Sequence, residues 1–413
     1  MEYITETRQV PVQPFHDVIV VGGGVAGAAA AVAAARQGSR VLLIEKSAIL
    51  GGLATLGLIA WYEPLCDGEG HQMIGGIAEE LLRLAIRYGY DSLPGEWREG
   101  SPEPGPGAPR YATHFSPNLF ALALDRWLTE AGVELRFDMA GSYPVMEGGL
   151  CKGVITESKS GREFFPAAVV VDATGDADIL SRAGVPCVLH GNNFLSVVTM
   201  RASLDTCRKA AESGNILQMR TWFGGGSDLF GNGQPEGVPP FSGVTNEEVT
   251  AFLLAGRKLI FDKVKNEDRK SRDIITLPGM AQFRKTRRIQ GDWTLQESDV
   301  YQHFEDSIGA AGDFTKRGQR FEIPYRCLRK TGFPNLLAAG RIVSADGRGW
   351  EVIRVIPVAA MTGQAAGTAA ALAARTRTAV DKMEISLLQQ TLAANQVQIH
   401  IPIGLDKPTV PAV

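Results

Sequence analysis

The chain has 413 residues, of which 45% are hydrophobic, and a formal net charge of −3. That length allows two or three domains at roughly 150 residues each, and the small net charge gives no general pull toward nucleic acid or an anionic membrane. No apolar run reaches the ~18 residues of a membrane-crossing helix, and the polar start MEYITETRQVPVQPFH lacks the apolar centre of a signal peptide. Cys66, Cys151, Cys187, Cys207 and Cys327 are scattered with no CxxC pair. A disulfide framework, a dithiol centre and a metal site are therefore not expected, and reduced thiols without a leader point to the cytoplasm.

Residues 17–46, DVIVVGGGVAGAAAAVAAARQGSRVLLIEK, predict a strand, a glycine turn, a helix and a second strand. Val18 to Val21 are continuously apolar, as in a strand buried on both faces of a parallel sheet. Gly22, Gly24 and Gly27 have GxGxxG spacing. The first permits a tight turn, the second lets backbone approach a pyrophosphate, and the third lets the helix pack closely on the strand. Val25 and Ala26 open that helix, where free N–H groups favour phosphate. The helix is mostly alanine to Gln37, and Gly38 suits its end. Glu45 closes the second strand, followed by Lys46. It lies 45 − 24 = 21 residues after Gly24, the place of the acid that holds a ribose hydroxyl. An acid rather than an arginine argues against a 2′-phosphate. The unit predicts a bound adenine dinucleotide.

Further along, Gly51-Gly52 fits a loop passing close to a ligand. A polar and aromatic loop follows, with Tyr62, Glu63, Cys66, Asp67 and His71, and then a helix from Ile77 with Leu81, Leu82, Ala85 and Ile86 on one face. Loops carried on rigid scaffolds often hold function, so His71 is a candidate acid or base. The Pro/Gly-rich stretch 94–109 predicts a surface loop or lid. A helix over 117–131, a strand over 133–137 and a meander from Tyr143 come next.

A second signal is AAVVVDATGDAD at 167–178, a buried strand running into Thr174-Gly175-Asp176. Gly175 allows close backbone approach, and Asp176 and Asp178 are expected to cap the next helix. From 191 to 329, strand-like (196–201) and helical (247–264) runs surround a Gly/Pro loop at 224–243. Here Arg284, Arg287 and Arg288 precede Trp293. Guanidinium groups bind carboxylates bidentately, which makes Arg284 and Arg288 candidates for holding an anionic substrate. The third signal spans 334–374: a strand to Ala339, then Gly340-Arg341, a loop with Asp346, Arg348, Glu351 and Arg354, and an Ala/Gly-rich helix from Pro357. Its N-terminus carries partial positive charge, and Gly363 and Gly367 leave one face bare. A last helix over 384–395 and a Pro-containing tail end the chain.

The GGGVAG turn, IEKSAILGG with its closing glycines, the strand ending in ATGD and the Gly-Arg-to-helix passage together resemble the FAD-dependent oxidoreductase superfamily with two dinucleotide-binding domains. The likeness is strongest to bacterial FAD-dependent oxidoreductases related to fumarate reductase and glutathione reductase, and covers 17–190 and 331–375. It implies that Gly51 and Gly52 lie along the pyrophosphate and isoalloxazine, and that backbone at Met139-Ala140 meets the adenine edge. It further implies that Thr174, Gly175, Asp176, Gly340, Arg341, Arg354, Val355 and Ile356 border the cofactor, with the last helix's N-terminus at the flavin N1–C2=O edge. His71 gains a possible role in flavin attachment. Two departures stand out. The family's Arg-Glu-x-Arg-Arg run has Lys285 in place of Glu, and a histidine common near Asp346 is absent.

The expectation is therefore an α/β protein. A Rossmann-like, glutathione-reductase-type FAD-binding domain is assembled from 1–190 and 330–413, with an inserted α+β substrate or cap domain at 191–329. The expected function is FAD-dependent oxidation or reduction of a small organic metabolite by hydride transfer through flavin N5, the arginines suiting an anionic one. The substrate-handling candidates are His71, Arg284, Arg288, Asp346 and Arg348. A second electron acceptor is required and unnamed, and a homo-oligomer is left open. An NAD-dependent dehydrogenase and a non-catalytic flavin redox sensor are the alternatives.

Overall fold

Short apolar strands buried on both faces can pair only inside a sheet covered by helices, and that is how the first signal folds. The computed structural model describes residues 4–191, 193–228 and 230–407. The expected tail at 408–413 lies outside the described residues. Strand β1 (His16–Val21) leads through the glycine turn into helix α1 (Val25–Arg36) and strand β2 (Val41–Ile44). Beside them lie β3 (Glu134–Arg136), β4 (Met139–Glu147), β5 (Leu150–Ser158), β6 (Gly161–Asp172) and β7 (Leu336–Ala338). These seven strands form one sheet in the order β3-β2-β1-β6-β5-β4, with β7 also on β6. Strand β6 does two jobs. Its first half runs antiparallel to β5, and its second half runs parallel to both β1 (Val18↔Val169) and β7 (Leu336↔Val170). A strand from the far end of the sequence thus completes the sheet begun at residue 16.

The second tie between the chain ends is helical. Helix α2 (Ile356–Thr376) is buried from Ile356 to Ala373, which leaves it no solvent-facing side over that span. It crosses α1, whose residues Ala26 to Ala34 are all buried as well. A Cβ on Gly363 would sit 2.1 Å from the Ala26 carbonyl oxygen, and one on Gly367 would sit 2.0 Å from that of Ala30. The two helices meet backbone to backbone, the close approach that small residues four apart allow. Among the described residues no single helix is long and apolar enough to cross a membrane.

The middle of the chain divides in a way the sequence did not reveal. An antiparallel sheet of Thr221–Gly226, Ser196–Ser203 and Arg272–Thr276 and the helix Asn246–Val264 surround a small apolar cluster of Leu195, Phe241, Phe252 and Phe283. By contrast, Ile289, Leu295, Ile308, Phe321, Ile323 and Leu328 belong to the main core. The hairpin Ser307–Gly312/Arg320–Pro324 supplies several of them. That cluster draws its residues from 195–283, inside the 191–329 expected for the insert.

Asp176 and Asp178 were expected to cap the helix after the ATGD signal. Asp172, completely buried at the end of β6, does so instead. Its Oδ2 accepts from the Ile179 and Leu180 N–H groups at 2.9 Å, and its Oδ1 from the Thr174 N–H and hydroxyl. Burial pushes the Asp172 carboxyl up to about 6.

The helix crossing yields a direct test. Gly367→Val forces a branched side chain onto the Ala30 carbonyl and should cost about 3 kcal/mol or more, the upper range for overpacking. Chemical denaturation reads this, and an unchanged midpoint would show that the two helices do not meet this closely.

Candidate functional site

Where β1, β6 and β7 end and α1 and α2 begin, the fold leaves a cavity of about 560 Å³. Its lining includes Glu45, Lys46, Met139 and Arg182 and, from other segments, Leu56, Met280, Arg354 and Ile356. The glycine turn forms its floor. Gly22 has φ +104°, and a Cβ there would meet the Ala173 carbonyl oxygen at 2.4 Å. A Cβ on Gly27 would meet the Gly22 carbonyl oxygen at 1.8 Å. A Cβ on Gly24 would meet no atom within 4 Å. Two glycines of the motif are thus demanded by protein packing, whereas the middle one faces open space at the N-terminus of α1. That contrast is what a phosphate cradle requires.

Most residues expected around the cofactor border this one cavity: Gly22, Gly24, Val25, Ala26, Glu45, Lys46, Gly51, Gly52, Ala140, Thr174, Gly175, Gly340, Arg341, Arg354 and Ile356. Gly51 and Gly52 have φ +97° and +55°, which let their loop fold back so that the Gly51 N–H reaches the Gly23 carbonyl at 2.8 Å. Glu45 is buried. Its Oε2 accepts from the Gly23 N–H at 2.6 Å, and its Oε1 from the Ser47 hydroxyl at 2.7 Å.

Three of the expected residues do not line the cavity. Gly27 is a packing glycine. Asp176 accepts from the Thr286 hydroxyl at 2.7 Å and from Arg341 Nη2 at 2.8 Å, which joins the ATGD loop to the C-terminal segment. Val355 is a buried helix cap at the start of α2.

The substrate-handling candidates fare unevenly. His71 is a correction: its Nδ1 lies 2.8 Å from Asp67, which is held in turn by buried Arg320, and it does not border the cavity. Arg348 is another, since its guanidinium is spent on buried Asp313 and on Thr315. Asp346 points largely to solvent and caps the helix Gly347–Ile353. Arg288 is buried against the Trp350 ring, 3.6 Å from Asp346. It pairs with Val188 in a two-stranded ladder and does not border this cavity.

Arg284 is different. It makes no hydrogen bond or ion pair among the described residues. It borders a second cavity of about 100 Å³ together with His190, Ser196, Gln282, Lys285 and Glu351. The segment 279–285 runs between the two spaces, because Gly279 and Met280 border the larger one. Burial, and then the Arg354 guanidinium, lower the Arg284 pKa. Glu351 holds Lys285 at 2.7 Å and also pairs with Arg354.

Glu63 is a residue the sequence reading named within its loop but did not single out. Its Oε2 accepts from the Ile356 N–H at 3.2 Å, at the first turn of α2. Burial raises its pKa, against the opposing effects of a backbone hydrogen bond and of Arg354. Only contact across 293 residues reveals it. Leu53, Leu56, Gly279, Met280 and Arg182 also border the cavity unforeseen, since isolated residues outside a spaced pattern carry no motif.

The family of FAD dependent oxidoreductases matches residues 17–224 and 248–392. The chain belongs to that family. An oxidoreductase using FAD accounts for the cavity's glycine floor and buried acid together. Solved structures similar to this oxidoreductase include a geranylgeranyl bacteriochlorophyll reductase-like protein from Thermoplasma acidophilum, 14% identical, covering 96% of this chain and 95% of the other with a TM-score of 0.44. p-Nitrophenol 4-monooxygenase from Pseudomonas putida is 14% identical over 94% of this chain and 89% of its own, TM-score 0.44. The Sdh1 complex of Mycobacterium smegmatis is 15% identical over 92% and 72%, TM-score 0.45. A comparison with curated protein sequences finds no match.

Two outcomes follow for the FAD-dependent oxidoreductase. Gly24→Ala, at φ −65° and ψ 176° with nothing for the methyl to strike, should leave the apoprotein's melting point unchanged and weaken FAD retention at least about tenfold, since it fills the space a phosphate needs. Unaltered FAD affinity would contradict the cradle. The raised pKa of Glu63 means the native state holds that proton more tightly than the unfolded chain. Its contribution is complete below the ordinary carboxyl value and is lost as pH rises through the raised one. The stability of wild type relative to Glu63→Gln should therefore fall with rising pH from about 4.3; a rise would contradict it.

Proposed function

We propose that this oxidoreductase transfers hydride between flavin N5 and a small anionic organic metabolite seated beside segment 279–285. The observation that carries the anionic part is Arg284. A half-buried guanidinium with no partner among the described residues, facing a small polar cavity, is costly unless a ligand pairs with it. A carboxylate would answer it bidentately.

In this reading the N–H groups opening α1, at Val25 and Ala26, receive the pyrophosphate, Glu45 turns to a ribose hydroxyl, and the backbone at Met139 and Ala140 borders the adenine. Bound FAD supplies the hydride acceptor or donor. The N-terminus of α2 offers partial positive charge to the far end of the cavity, and Arg354 is held there by Glu351. Glu63 sits on that helix end. Burial raises its pKa there, so it holds a proton more tightly than a free carboxyl does and can take up or release one near the reacting atoms. The proposed domain division is an FAD-binding domain from 17–190 and 287–407, with an insert of 193–285 that closes over the substrate. A second electron acceptor completes turnover, and a cytoplasmic setting suits five free cysteines.

Anaerobic screening of small carboxylates for flavin bleaching identifies the substrate. With it, Arg284→Gln should raise the dissociation constant about 10- to 100-fold, the value of a charge-assisted pair, and Arg284→Lys should recover part of the loss. Equal affinity in wild type and Arg284→Gln, or bleaching only by uncharged compounds, would overturn the reading.

A further inference from the structure

Away from the cavity, two clusters of histidine and carboxylate bring ligand-type atoms within 4.8 Å of one another among the described residues. The first, Asp67, Glu69 and His71, already surrounds a cation: Arg320 donates to Asp67 at 2.6 Å and to Glu69 at 2.8 Å. The second is His303, Glu322 and His400, and no lysine or arginine side chain is paired with it among the described residues.

In this second cluster Glu322 is almost fully buried and is held from behind. Its Oε1 accepts from the Ile401 N–H at 2.9 Å and its Oε2 from the Phe304 N–H at 2.8 Å. Two imidazoles converge on that same Oε2, His400 Nδ1 at 3.0 Å and His303 Nδ1 at 3.4 Å. The rings lie 4.6 Å apart, centroid to centroid. They come from segments 97 residues apart (400 − 303) that the backbone already joins: the Ala310 N–H donates to the Gln398 carbonyl at 2.7 Å, and the Ser307 hydroxyl to that of Ile399 at 2.6 Å.

We propose that His303, Glu322 and His400 bind one divalent transition-metal ion of the zinc class, which ties the C-terminal segment around His400 to the hairpin Ser307–Pro324. Two neutral imidazoles and one carboxylate are a donor set for zinc and its neighbours, and a poor one for calcium or magnesium, which take oxygen. Metal–ligand distances near 2.0–2.1 Å in tetrahedral geometry put ligand atoms roughly 3.3 Å apart, close to the two nitrogen–oxygen separations here. The backbone donors behind Glu322 fix the carboxylate's direction, as partners of metal ligands do. His303 is 59% exposed in its side chain, so an ion reaches the site from solvent and water completes its coordination. His303, Glu322 and His400 share no local spacing, so only the fold brings them together.

The test uses the full FAD-loaded chain, freed of metal by chelator dialysis and titrated with Zn²⁺ in a calorimeter. One equivalent should bind per chain, and His303→Ala and His400→Ala should each weaken it at least tenfold while leaving the flavin spectrum unchanged. Cys207→Ser, removing the exposed thiol, should bind as wild type does. Zn²⁺ should raise the melting temperature of wild type and Cys207→Ser and not of the histidine variants. Absence of stoichiometric binding, or binding unweakened in either histidine variant, would overturn the proposal.

Discussion

The backbone contact between α1 and α2 is the constraint on which the rest depends. Gly363 and Gly367 let α2 rest on the carbonyl groups of Ala26 and Ala30, and the alanine-rich face of α1 has no bulk to hold it off. Because α1 begins at the glycine turn and α2 begins beside Arg354, fixing their crossing fixes the distance between the two ends of the cavity. Strand β7, which pairs with β6 and runs into Gly340, holds the C-terminal segment to the same sheet. A helix of larger residues could bury as much apolar area and still leave the cavity with the wrong length.

Charge in the C-terminal loop serves mainly to hold that frame. Arg341 donates to the Gly175 and Phe283 carbonyls and to Asp176, so it binds the ATGD loop, the insert and its own segment together. Arg348 is committed to Asp313, and Arg354 to Glu351. Removing one partner of such a buried pair strands the other, a cost of about 3–5 kcal/mol. A loop crowded with charged residues therefore reads in the structure as a set of struts, and the charges that remain available to a ligand are few. Arg284 is the clearest of them, and it lies in a different segment.

What the sequence made legible is what has short range or a fixed period. The strand-turn-helix-strand unit, its acid at Glu45, the ATGD strand and the small-residue helix all have local spacing, and the residues they carry converge on one cavity. The residues whose placement differs from expectation have partners distant in sequence. His71, a candidate acid or base by its place in the loop, is bound to Asp67, which Arg320 holds in turn. Arg348, a candidate for the substrate, is bound to Asp313. Asp172 rather than Asp176 caps the short helix because that helix begins in a tight turn that brings its N–H groups back over the strand end. Glu63 was hidden for the same reason, since its importance lies in touching Ile356. The strands from 287 to 324 pack into the main core, yet residue by residue they look no different from those that precede them.

The central claim is that the amino-terminal glycine turn and the start of α2 enclose one FAD. An experimental structure of the FAD-loaded protein tests it most directly. The account predicts density for the pyrophosphate against the N–H groups that follow Gly24 and for the isoalloxazine against Ile356. Flavin density in any other part of the molecule would contradict it.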